Sequence, residues 1–139
     1  MPVTNAELAS LFREVGDLLE IQEANPFRVR AYRTAARTIE AHPEPVGELV
    51  LQDPALVDAL PGIGEDLTGK IGEIARTGRL TLLNQLRRRV PKGVREMMSV
   101  PGVGPRKATR LHDVLGLRGL ADLGRAARAG RLRTIKGFT

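Results

Sequence analysis

Apolar residues recur every third or fourth position almost from the start of this chain. Leu8, Leu11, Phe12, Val15, Leu18 and Leu19 share one face of a helix that Thr4 or Asn5 can cap. Asn25 and Pro26 read as cap and first position of a second helix, running to about residue 39, where His42-Pro43-Glu44-Pro45 interrupts it. A short helix over 46–51 follows, then another capped by Asp53, opening on Pro54 and ending at Ala59. The same spacing predicts helices over 65–77, 79–90, from Pro91 through Met97 and Met98, 105–115 and 120–129. Gly78, Gly116 and Gly130 stand where three of them stop, since glycine supplies the left-handed residue that closes a helix. No segment alternates as a strand does. The expected fold class is all-α: a helical unit over 1–80, then a smaller one over 81–139, joined near 78–80.

Between these helices a short phrase occurs twice, forty residues apart. Leu60-Pro61-Gly62-Ile63-Gly64 is followed by Ile71, and Val100-Pro101-Gly102-Val103-Gly104 by Leu111, each seven positions after the last glycine. Small Thr68 matches Ala108 within that frame. Proline and glycine break the preceding helix, and a glycine-rich turn opening onto a helix offers free N–H groups at its positive end. One such loop is read most simply as a tight interhelical turn. Two in register point instead to the helix-hairpin-helix motif, which grips a DNA phosphate without reading bases, and make Gly62, Gly64, Gly102 and Gly104 candidate DNA contacts. A third copy begins at Ile135-Lys136-Gly137-Phe138, with Thr139 where glycine would fall, as expected of a piece of something longer. A second echo, 75–80 against 127–132, is ordinary helix-closing chemistry.

At 139 residues the chain suits one compact unit or two very small ones. It has no cysteine, and its two histidines, His42 and His112, lie seventy residues apart, so zinc, thiol and disulfide chemistry are not expected. No apolar run or leader points to a membrane, so a cytoplasmic protein, nucleoid-associated when DNA-bound, is expected. Four aromatic residues, Phe12, Phe27, Tyr32 and Phe138, are too few for a row of base-stacking platforms.

The charge is divided unevenly. Residues 1–69 hold five arginines against twelve acids; residues 70–139 hold seventeen basic residues against four acids. That places nucleic-acid contact in the second half. The hairpins differ in the same sense: Pro105, Arg106 and Lys107 follow the second turn, where Glu65, Asp66 and Leu67 follow the first. Arg106, Lys107 and Arg110 are the foremost phosphate contacts. Arg95, Arg118 and the run Arg87-Arg88-Arg89 are further candidates, a solvated helix face serving the run equally well.

The run 25–33 (Asn-Pro-Phe-Arg-Val-Arg-Ala-Tyr-Arg), the first hairpin with Lys70 and Ile71, and the second hairpin through Ala108 together resemble the N-terminal part of bacterial family X DNA polymerases. These are the DNA polymerase β-like repair polymerases, and the resemblance covers essentially the whole chain. It implies a lyase-type domain over 1–80 that binds the 5′-phosphate of a gap, and a subdomain over 81–139 that holds duplex. The magnesium-dependent polymerase palm would follow Thr139. It also implies a sodium or potassium ion at each hairpin, held by the backbone carbonyls of Asp58, Leu60 and Ile63 and of Met98, Val100 and Val103. No cofactor is required for binding, and a monomer is expected.

The resemblance also assigns Lys70 the position of a Schiff-base nucleophile for 5′-deoxyribose-phosphate lyase chemistry, Tyr32 the pocket tyrosine, and Arg28 the place of a phosphate-binding lysine. Two positions depart from it: Phe27 replaces a pocket histidine, and Asp66 replaces a pocket lysine. Asp66 lies one turn before Lys70, where it favours the ammonium form. Lys70 is then equally an ion-pair partner or a phosphate contact. Three functions follow: sequence-nonspecific DNA binding that positions gapped, nicked or 5′-phosphorylated DNA in base excision repair, a lyase acting through Lys70, and a helical protein-interaction adaptor.

Overall fold

The computed structural model describes residues 2–135, and among them every regular element is helical. Helix α1 (Asn5–Ile21) and α2 (Pro26–Ala41) form an antiparallel pair. Leu8, Phe12, Val15, Leu18 and Leu19 of the first bury against Val29, Tyr32, Ala35, Ala36 and Ile39 of the second. Phe12 meets Tyr32 edge-to-face at 5.3 Å between ring centroids. Thr4 is the cap, its hydroxyl accepting from Glu7 N–H at 3.1 Å. Asn5 does other work: it donates to the His42 and Glu44 carbonyls and accepts from Val46 N–H, fixing the interruption after α2.

The turn between α1 and α2 closes on a residue with no turn signal of its own. Ala24 N–H reaches back to Leu19 O and Glu23 N–H to Glu20 O, so Glu23 takes the left-handed position that glycine usually fills. Its φ of +55° is the one positive value on a non-glycine residue among the described residues. A Glu23→Gly variant should gain about 1 kcal/mol of stability in urea unfolding, because a left-handed side-chain-bearing residue is strained. A loss would show that the Glu23 side chain holds the turn.

Helices α3 (Val46–Gln52), α4 (Pro54–Asp58) and α5 (Glu65–Thr77) complete the first half, with α3 packed on both others. The helix predicted over 79–90 is shorter, α6 (Thr81–Arg89), because Leu80 is extended and buried. The Glu73 carboxylate caps it, accepting from Thr81 N–H at 2.8 Å and Thr81 Oγ1 at 2.7 Å, and these bonds hold its pKa below the usual range. Helices α7 (Lys92–Met98), α8 (Pro105–Leu115) and α9 (Leu120–Arg128) follow. A single 3-10 turn over Arg131–Thr134 has no clear signal in the sequence. Pro91 stands one position outside α7, as its cap. Apart from Ile135, the third hairpin copy lies outside the described residues.

Helix α1 also contacts α6 and α8, so the second half rests on the first helix of the chain. Arg87 clamps that seam: its Nε and Nη2 donate to the two Glu14 oxygens at 2.5 and 2.6 Å. Arg87 is thereby withdrawn from the arginine run, leaving Arg88 and Arg89 exposed.

Candidate nucleic-acid interface

The two Pro-Gly phrases fold into the same backbone. In each, an N–H bonds back three residues, Ile63 to Leu60 O at 3.1 Å and Val103 to Val100 O at 2.9 Å. Gly62 and Gly102 are left-handed, with φ of +78° and +85°. Gly64 and Gly104 are then extended and cap α5 and α8, and neither helix start receives a side-chain hydrogen bond. Ile63, Ile71, Val103 and Leu111 are buried, so the apolar positions of the repeat pin the turn from below. What remains above is a helix start whose capping glycine brings no side chain, at the positive end of the helix dipole.

Glycine matters here for access as well as conformation. A Cβ at Gly64 or Gly104 would meet nothing within 4 Å, so packing does not demand glycine at either cap. Gly62 is different: a Cβ there would stand 2.8 Å from Thr34 Cγ2. Thr38 Oγ1 also donates to Pro61 O at 2.8 Å, so α2 carries the first hairpin through two threonines.

The charged residues separate the hairpins. At the second, Arg106 is 84% exposed, and Lys107 Nζ donates to Gly102 O at 3.1 Å, bringing an ammonium onto the turn itself. Leu67, its counterpart, is buried. Arg110 lies one turn further along α8, its Nε shielded and without an acceptor among the described residues. At the first hairpin the helix opens on exposed Glu65 and Asp66. Of the other candidates, Arg95 turns inward, Nε donating to Val90 O at 3.4 Å, while the Arg118 backbone N–H donates to Asp122, which also pairs with Arg125.

Beside the first hairpin, Lys70 donates to Asp66 Oδ1 at 2.8 Å, the pairing expected one helical turn apart. Partial burial favours the neutral amine, but the Asp66 hydrogen bond and the neighbouring Tyr32 and Asp66 charges outweigh it, and the Lys70 pKa is raised. Tyr32 is buried, which raises its own pKa, and its hydroxyl has no partner at hydrogen-bond length, though the Lys70 and Arg28 charges reach it. Phe27 is 73% exposed with the Arg30 guanidinium 5.2 Å from its ring centre. Lys70, Tyr32, Asp66 and Arg28 are therefore neighbours, on a surface that Glu65 and Glu73 make acidic.

No group of three or more His, Asp or Glu side chains among the described residues could hold a metal ion. The carbonyls are a separate matter. Those of Leu60 and Val100 each accept one bond within the turn, from Ile63 N–H and Val103 N–H. No helix among the described residues is long and apolar enough to cross a membrane.

Sequence reasoning missed the residues that hold this surface in place: Thr34 and Thr38 under the first hairpin, Glu14 and Glu73 at the seam, and Glu23 at the corner. The partners of Thr34, Thr38, Glu14 and Glu73 lie in other elements, so spacing along the chain carries no trace of them.

Comparison with known proteins agrees with the geometry. Residues 94–139 match a model described as a SAM-like helix-hairpin-helix tandem. The chain is 27% identical over 132 residues to the DNA polymerase/3′-5′ exonuclease PolX of Bacillus subtilis (strain 168), a match that takes in 95% of this chain and 22% of that protein. Residues 3–80, more than half of the chain, match the helix-hairpin-helix domain model, and the chain belongs to that family.

Proposed function

We propose that this chain binds DNA without sequence preference, holding gapped or nicked repair substrates for a family X DNA polymerase. The family match and the likeness to a polymerase of that kind support DNA binding in that setting. One observation carries the finer reading: two hairpins of the same backbone each end in a helix start whose capping glycine brings no side chain and has open space over it. A phosphate oxygen can accept from those N–H groups, and no base edge is needed.

In this reading residues 81–139 grip duplex through Gly102, Gly104, Arg106, Lys107 and Arg110. Residues 1–80 meet the 5′-phosphate side through Gly62, Gly64 and Arg28, more weakly because Glu65 and Asp66 face the approaching anion. A sodium or potassium ion on the turn carbonyls would offset that repulsion, chiefly at the first hairpin, since Lys107 already brings a cation to the second.

Fluorescence anisotropy on a gapped duplex tests the proposal. The three cations at the second hairpin alone predict a log–log salt slope of about −2.7, roughly a 40-fold loss between about 50 and 200 mM salt. A flat response would favour a protein-interaction adaptor instead.

The lyase reading keeps one supporting observation, the buried Tyr32 hydroxyl beside Lys70. An ordinary lysine is neutral in only about one molecule in a thousand near pH 7, and Lys70 in fewer, because its pKa is raised. Borohydride trapping on an incised abasic site should therefore be slight at neutral pH and climb as the solution is made alkaline. Asp66→Asn removes the bond that raises the Lys70 pKa, so it should move that climb to lower pH. Efficient neutral trapping by the unaltered protein, lost in Lys70→Ala, would make the lyase the leading function.

A further inference from the structure

The two halves meet along one helix. Among the described residues, α1 is the only helix of 1–80 in extensive contact with the second half, seating α6 and α8 while also pairing with α2. Each hairpin is tied to that seat. Thr38 Oγ1 donates to Pro61 O at 2.8 Å, joining the first hairpin to α2, and the second hairpin opens directly into α8. The packed path from one hairpin to the other therefore runs through α2, α1 and α8. The covalent link is the short stretch 78–80, where Gly78 is left-handed at φ +74° and a Cβ would meet nothing within 4 Å.

Apolar packing leaves freedom at such a seat. Leu83 and Leu86 form the buried side of α6, and α1 is the helix it packs on. Burial of apolar area is non-directional, and helix crossing angles scatter by about 15–20° within one packing class. A two-bond ion pair is directional. Arg87 Nε and Nη2 donate to the two Glu14 oxygens at 2.5 and 2.6 Å, with both side chains partly buried. That fork fixes a plane as well as a distance. It joins residues seventy-three positions apart, so it acts across the seat and on no local turn. Such a pair adds little to stability but can specify one arrangement among several. The other cross-seat contact, Glu20 Oε2 to Arg106 Nε at 3.9 Å, is too long and too exposed to do the same.

We propose that the Glu14–Arg87 fork sets the angle between the two hairpins. It thereby favours DNA that engages both at once, a gap with duplex on either side, over DNA that engages one. Resting on the DNA-binding reading, this adds what decides which DNA is preferred. A preset angle lowers the cost of the second contact, because the other hairpin meets its phosphate within the same complex. Glu14 and Arg87 are positioning residues: they act through the hairpins and touch no DNA themselves.

The test compares a blunt duplex with a short-gapped duplex carrying a 5′-phosphate, at one salt concentration. The unaltered protein should prefer the gapped duplex at least fivefold. Glu14→Gln adds one positive charge and Arg87→Gln removes one, yet both should cut that preference at least threefold. The exchanged pair, Glu14→Arg with Arg87→Glu, keeps the net charge and should recover most of it. Arg87→Lys, which keeps the charge and loses the fork, carries the same expectation should Arg87→Gln fail to fold. Because the chain has no cysteine, spin labels on Glu48→Cys and Val114→Cys, both at exposed positions, report the arrangement of the halves directly. One narrow distance is expected with the fork intact, and a broad distribution in either single variant. Changes of opposite sign in the two single variants would overturn the proposal in favour of bulk charge. An unchanged preference, or a distance that stays narrow, would overturn it by showing that apolar packing alone fixes the angle. Equal affinity of the unaltered protein for both duplexes would also overturn it, while leaving the hairpin reading standing. Failure to bind either duplex would defeat both readings together.

Discussion

A Gly93→Ala variant should lose about 3 kcal/mol or more of stability, the upper part of the range for overpacking, and melt roughly 10 °C lower. The reason is a backbone contact that no side-chain rotation can relieve. A Cβ at Gly93 would collide with the carbonyl oxygen and carbonyl carbon of Arg118. Gly93 lies in the first turn of α7, which leads into the second hairpin, and Arg118 lies in the segment leaving α8. The contact therefore closes the base of the helix-hairpin-helix unit, and separating the two segments loosens the hairpin at its root. Gly69→Ala is the matching control. Its Cβ would meet nothing within 4 Å, and an exposed helical glycine replaced by alanine should gain up to about 1 kcal/mol. Calorimetry of the two variants should move in opposite directions. A loss below about 1 kcal/mol for Gly93→Ala would mean that the loop after α8 yields and does not brace the hairpin.

The contrast between those glycines marks what the chain disclosed on its own. Helix α5 and helix α8 run between the residues that sequence spacing predicts, because Pro-Gly turns start them and left-handed Gly78 and Gly116 end them. The hairpins were legible for the same reason: their apolar and glycine positions act locally and repeat. Gly93 was not, since its constraint comes from a carbonyl twenty-five residues away. The basic half was legible as a total, but its assignment to individual arginines was not. Arg87 is bound to Glu14, in a helix that only the fold brings near, and Arg95 folds back on Val90 at the end of α6. The pairing of Lys70 with Asp66 could be read because both lie on one helix, one turn apart.

The second large effect concerns binding and isolates the hairpin from the rest of the surface. At Gly104 the backbone is extended, with φ −86° and ψ −175°, and space over the residue is open. Aspartate accepts that geometry and is a better helix cap than glycine by a few tenths of a kcal/mol, so Gly104→Asp should fold at least as stably as the parent. Its carboxylate would accept from the N–H groups offered to a phosphate and repel an approaching anion. Duplex affinity should fall at least tenfold, about 1.4 kcal/mol, while thermal stability holds or rises. Gly104→Asn caps without the charge and should lose less. Gly64→Asp should have a smaller effect, because Glu65 and Asp66 already oppose an anion at the first hairpin.

Gapped-duplex affinity of Gly104→Asp, measured beside its melting temperature, is thus the most direct test of the hairpins as phosphate grips. A drop of at least tenfold with an unchanged or higher melting temperature is the expected result. Affinity within twofold of the unaltered protein, at the same stability, would contradict it and leave DNA binding to the basic surface alone.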